Sequence, residues 1–175
     1  MSQVHMMVPP PDNWQDFERL TFLVCEAIWP NDDVKQHGRP GQAQQGVDIY
    51  RCVTHKQEWV GVQCKRRNPT DALGSQEVGG QLTLSEVEAE VRAATSFTPS
   101  LNQFIIATTA FTDSKLQAKI RTLASARSLT GQFSVSVWFW ENIQSYLNQH
   151  MHVMYCYYSE FMQLNSVYNA DKHIL

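Results

Sequence analysis

Three polar residues stand where short strands should carry apolar ones. In "GVDIYRCVTHKQEWVGVQCKRR" (46–67), Val47, Ile49, Val60 and Val62 mark a buried hairpin, yet Asp48, Gln63 and Lys65 lie among them. A buried charge without a partner is costly, so these three residues ask for a chemical reason. A two-residue loop at 55–56 and a four-residue loop at 54–57 give one register, and both set Asp48 directly opposite Gln63. Opposed residues of an antiparallel pair share a face, with Cβ atoms about 4.5–5.5 Å apart. Lys65, two residues on from Gln63, falls on that face roughly 7 Å further along. The group then holds a hard anionic oxygen on Asp48, a neutral oxygen on Gln63 and a cation on Lys65, with the backbone carbonyl of Cys64 between them. Such oxygens suit a magnesium ion that keeps waters and takes a substrate phosphate. Lys65 sits where a phosphodiester and its attacking water would meet, a place where positive charge stabilises developing negative charge. The same residues also make a plain buried Asp–Lys ion pair with Gln63 as hydrogen-bonded filler, and spacing alone does not separate the two.

The elements that must position this group follow from patterning. Asn13 caps a helix from Trp14, with Asp16 in its first turn and Phe17, Leu20, Val24 and Ile28 at helical spacing, until Pro30 and Asn31 stop it. A short strand is expected near 34–37, then a glycine-rich loop (38–46), the hairpin (47–65) and a polar connection (68–81). Ser85 with Glu88 forms a capping box for a helix to about Phe97. "FIIATT" (104–109) reads as a strand buried on both faces, Asp113 to Leu129 as a helix with Leu116, Ile120, Leu123 and Ala124 inward, "FSVSVWFW" (133–140) as a strand, and Glu141 to Gln149 as a short helix. The order α, β, β, β, α, β, α, β, α predicts an α/β fold with a mixed central sheet flanked by helices.

Length and composition agree with one folded domain: 175 residues, 43% hydrophobic, 18% charged, net charge −3. No apolar run approaches the roughly 18 residues a bilayer requires, and "MSQVHMMVPPP" lacks a basic segment before an apolar core, so a cytoplasmic protein without a membrane partner is expected. Cys25, Cys52, Cys64 and Cys156 form no C-x-x-C pair and read as reduced thiols. Gly38, Gly41 and Gly46 match neither phosphate-loop pattern, which argues against an ATP or dinucleotide site. Arg39, Arg66 and Arg67 lie near the polar group in sequence and are candidate phosphate contacts; Lys115 and Lys119 share a helix face that meets DNA or merely solvent. Thr108 and Thr109 end a buried strand, where phosphate binding competes with a structural role. His150 and His152 lack a third ligand and read as surface residues.

Asp48, a gap of fourteen residues and then "QCK" resembles the PD-(D/E)XK nuclease superfamily. The Gln-x-Lys form, with "FERL" in the first helix and "QGVDIY" before the gap, is similar to its Mrr-like restriction endonuclease branch. The resemblance covers about 14–149 and implies a restriction-endonuclease-like fold that hydrolyses double-stranded DNA with Mg2+, Mn2+ being a substitute. By it, Glu18 is the helix acid reaching the metal directly or through water, Asp48 the main ligand, and Gln63 an amide in place of the commoner acid, which removes one charge from the site; Glu26, two helical turns on from Glu18, is an alternative acid by its place on the helix. Similar modules serve as effector domains of bacterial anti-phage proteins, often fused to a nucleotide-sensing NTPase. The chain divides accordingly into a flexible leader (1–13), a nuclease domain (14–149) and a tail (150–175) that packs on the core, contacts a subunit or links to a further domain. A duplex break needs two cuts and each chain offers one site, so at least a dimer is expected, with Tyr155, Tyr157, Tyr158 and Phe161 as a contact. An RNA nuclease and a catalytically silent nucleic-acid-binding or assembly domain are the rival readings. No base-reading motif is present, so low sequence specificity is expected.

Overall fold

The computed structural model describes residues 5–38, 45–53, 55–68 and 80–159. Asn13 caps α1 (Trp14–Ile28) by accepting a hydrogen bond from the Asp16 amide. Three antiparallel strands follow, β1 (Asp33–Gln36), β2 (Ile49–Val53) and β3 (Glu58–Lys65); then α2 (Leu84–Ala94), β4 (Gln103–Thr108), α3 (Ser114–Leu129), β5 (Ser134–Trp138) and α4 (Trp140–Gln149). Residues 151–159 are helical again. The expected α/β order holds. The strands form one mixed sheet in the order β1-β2-β3-β4-β5, with β4 parallel to β3 and β5 parallel to β4.

Side-chain alternation along the strands feeds two cores, because successive residues of a strand face opposite ways. Ile49, Val62 and Ile105 pack with Phe17, Leu20, Trp140 and Met154 on the α1/α4 face. Val47, Phe104, Ile106 and Val135 pack with Val87, Val91, Leu116 and Ile120 on the α2/α3 face. The hairpin turn is the four-residue form, pairing Val53 with Glu58, and Gln57 supplies the positive φ that glycine usually provides. The ladder ends where Ile49 pairs with Val62: the Asp48 amide donates to Val62 O rather than pairing with Gln63, and the expected opposition of Asp48 and Gln63 is met through their side chains instead.

Two boundaries differ from the sequence reading. α2 is capped by Thr83 with Glu86, not by Ser85 with Glu88, and stops at Ala94 rather than near Phe97. "TLSE" and "SEVE" both fit a capping box; burial of Val87, Val91 and Ala94 selects the earlier frame. β5 ends at Trp138 because Phe139 caps α4 and its amide donates to Asn142 Oδ1, so the aromatic run changes element in mid-course.

The stretch read as a loose leader makes specific contacts. Met6 exchanges hydrogen bonds with the Asn148 side chain, the Gln144 amide donates to Val8 O, and Tyr158 donates to Pro9 O. Tyr158 is buried within its own chain, whereas Tyr155 is exposed; Phe161 lies outside the described residues.

Candidate active site

The end of β3 gathers the polar residues. Asp48 and Gln63 are among the few buried polar side chains, 5% and 8% exposed. Gln63 Nε2 and the Cys64 amide both donate to Asp48 Oδ2, each at 2.7 Å. Asp48 Oδ1 has no hydrogen bond among the described residues. Gln63 Oε1 is buried without a partner, a state that proteins rarely tolerate and that calls for a missing ligand or a strained role. Gly46 sets the chain entering this site against α2: its φ is +70°, and a Cβ there would lie 2.8 Å from that of Ala93.

A cavity of about 320 Å³ opens over these groups, lined by Trp14, Glu18, Asp48, Gln63, Cys64, Lys65 and Arg66. Glu18, the expected helix acid, is thus brought to the site from α1. Glu26 is exposed and does not line it. Burial pushes the Asp48 carboxyl above its ordinary value against the pull of the Cys64 amide and Lys65, and burial together with the Asp48 charge pushes Glu18 up as well. Two carboxyls that resist ionising side by side are what a divalent cation relieves. Among the described residues no three His, Cys, Asp or Glu side chains are placed to hold a metal ion together, so a metal here would rest on two carboxylates and the amide oxygen. That donor set, with the orphaned Gln63 oxygen, fits a hard cation that retains water.

Lys65 reaches Glu90 of α2, Nζ to Oε1 at 2.7 Å. Arg67 pairs with Glu86, one turn earlier on the same helix. Neither acid was singled out by sequence reasoning; the available signal was their i, i+4 spacing on a helix that follows a Lys-Arg-Arg run. Trp14, half exposed at the cavity mouth, was missed too. Arg66 lines the cavity, and its Nε donates to Pro11 O. Arg39 lies outside the described residues. Lys115 and Lys119 are exposed on α3 and do not line the cavity.

Thr108 and Thr109 are structural. Thr108 donates to Lys65 O, while Thr109 donates to Arg67 O and accepts from the Arg67 amide, so both hydroxyls tie down the chain that leaves β3. The cysteines are free thiols; Cys25 is buried and Cys156 exposed. No helix among the described residues is long and apolar enough to cross a membrane.

A family model described as a restriction endonuclease, of Mrr catalytic type, matches residues 21–145, more than two thirds of the chain. The matched span holds Asp48, Gln63, Lys65, Arg66 and Arg67 and begins just after Glu18. No curated protein and no solved structure gives a significant match.

Proposed function

The chain belongs to the Mrr-type restriction endonuclease family, and from that premise we propose a magnesium-dependent endonuclease that hydrolyses double-stranded DNA as the effector domain of a bacterial anti-phage defence system. The family itself marks the chain as a nuclease, implies a DNA substrate and generally uses divalent metal ions. The observation that carries the finer reading is the buried, partnerless Gln63 oxygen, one amide group away from a buried carboxylate.

Asp48, Gln63 and Glu18 hold the metal in this reading, with the Cys64 carbonyl as a further ligand. A magnesium ion held there would neutralise charge on the scissile phosphate and ease loss of a proton from water. Lys65 donates to the phosphate oxygen that gains charge as water attacks phosphorus in line. Gln63 keeps Asp48 oriented through its amide nitrogen. Arg66 and Arg67 carry adjacent phosphates, and Arg39, Lys115 and Lys119 meet the backbone further out. Cutting both strands takes two copies of this site, so the active form is at least a dimer, coupled to a fused or associated sensor domain.

Supercoiled plasmid and a structured RNA incubated with Mg2+, with Mn2+ and with chelator provide the test. Nicking and linearisation of plasmid that need the metal are expected. Cleavage of RNA alone replaces the substrate; cleavage that persists in chelator overturns the metal reading. Light scattering of an active preparation showing only monomers removes the dimer.

A further inference from the structure

Lys65 sits on a flexible four-carbon stem, and an ammonium on such a stem has no preferred direction of its own. What directs it is Glu90. Lys65 Nζ lies 2.7 Å from Glu90 Oε1, with side chains 29% and 19% exposed, so the pair is largely withdrawn from water. Glu90 is in turn fixed by its helix. It lies between Val87 and Val91, both buried in the α2/α3 core. The same helix is pressed against the chain leading into Asp48 at the Gly46–Ala93 approach. One turn back, Glu86 holds Arg67. The helix therefore grips the end of β3 at two points while abutting the segment that carries the proposed metal ligand.

We propose that Glu90 is a positioning residue for the reaction. Its carboxylate holds the Lys65 ammonium at the scissile phosphate without touching substrate. This rests on the nuclease reading above. The contrasting view, a largely buried pair that only docks α2, predicts lost stability and nothing else.

The two views part in a kinetic and spectroscopic experiment on the full chain. Glu90→Gln keeps the shape and an acceptor oxygen but removes the charge. It should lower kcat on saturating DNA about tenfold, the scale on which a slightly misplaced group costs rate. Affinity for DNA in Ca2+, read by fluorescence anisotropy, should stay within about twofold, since the charge removed repels phosphate rather than binds it. Glu90→Asp should recover part of the rate, and Glu88→Gln on the same helix should change nothing. In a Lys65→Ala background Glu90→Gln should cost no further rate, because positioning has nothing left to position. Lysine-selective 15N NMR supplies a readout independent of cleavage: a sharp Lys65 Nζ resonance in the native chain, broadened in Glu90→Gln and retained in Glu90→Asp. If Glu90→Gln keeps native kcat below its melting temperature, loses the same factor with and without Lys65, or leaves the Nζ resonance unchanged, the proposal is overturned. If Glu90→Gln does not fold, a broadened Lys65 Nζ resonance in the native chain overturns it, because the proposal requires that ammonium to be held. Native kcat in Lys65→Ala alone would instead bring down the nuclease assignment and leave a distinct signature.

Discussion

One hairpin carries two largely buried cations, and they lead different lives. Arg51 on β2 pairs with Asp32, stacks at 4.0 Å on the Trp29 ring and leaves its Nε buried without an acceptor. Lys65 at the end of β3 pairs with Glu90 and shares its cavity with an orphaned acceptor, Gln63 Oε1. Both sites hold an ion pair and an unsatisfied polar atom. They differ in their surroundings: an aromatic lid over Arg51, a second carboxylate and an open 320 Å³ cavity beside Lys65. An unsatisfied buried atom is therefore weak guidance alone. It becomes informative where access and converging charge accompany it.

The sharpest way to break this contrast is to remove charge from each region. Asp48→Ala and Lys65→Ala should each lower magnesium-dependent plasmid cleavage about 100-fold or more, the scale of a lost positioned group, and non-additively when combined. Manganese titration by calorimetry should find the metal bound by Lys65→Ala and not by Asp48→Ala. Asp32→Ala should act on the other quantity. Leaving Arg51 buried without its partner should cost about 3 kcal/mol or more in urea melts, with cleavage per folded molecule unchanged. Equal rate losses in the two regions would erase the distinction between them.

A smaller effect separates charge from geometry at the site itself. A carboxyl whose native pKa lies above its unfolded value binds more protons when folded. Its contribution is fully present at pH below the unfolded value and is lost as pH rises through the native one. Asp48 and Glu18 are both of this kind, chiefly through burial. Metal-free protein should therefore lose stability as pH climbs through and above the ordinary carboxylate range, Mg2+ should restore it, and Asp48→Asn should flatten the metal-free profile and melt higher near neutrality. Thermal melts from pH 4 to 8 with and without magnesium read all three. The smallest change is expected outside both regions. Lys115→Ala should leave kcat intact, weaken DNA binding severalfold and reduce the salt slope by about one.

The hairpin and its register from Ile49 to Glu58 were legible because strand periodicity is strict and both candidate loops are even; the end of the ladder at Ile49 was not, and Asp48 meets Gln63 through its side chain. The α/β order was legible for a related reason: each buried stripe has a period of its own. Glu90 was not legible. Its partner lies across the polar connection at 68–81, whose composition says nothing of where the next helix docks, and a glutamate on a helix reads as solvated until that docking is known. The thresholds at Thr83 and Phe139 failed for a local reason, two overlapping capping boxes in one case and a continuous aromatic run in the other.

The strap at residues 6–11 has a consequence for synthesis. Arg66 at the cavity is held by Pro11 O, and the strap ending there is anchored by Gln144, Asn148 and Tyr158. Those anchors lie 136 to 149 residues further along the chain. A chain emerging from the ribosome can form the hairpin long before it can close the strap, since contacts so distant in sequence close last. The Arg66 side of the cavity is thus completed only once α4 and residues 151–159 appear, so a partly made chain has Asp48 and Gln63 in place but not this finished wall.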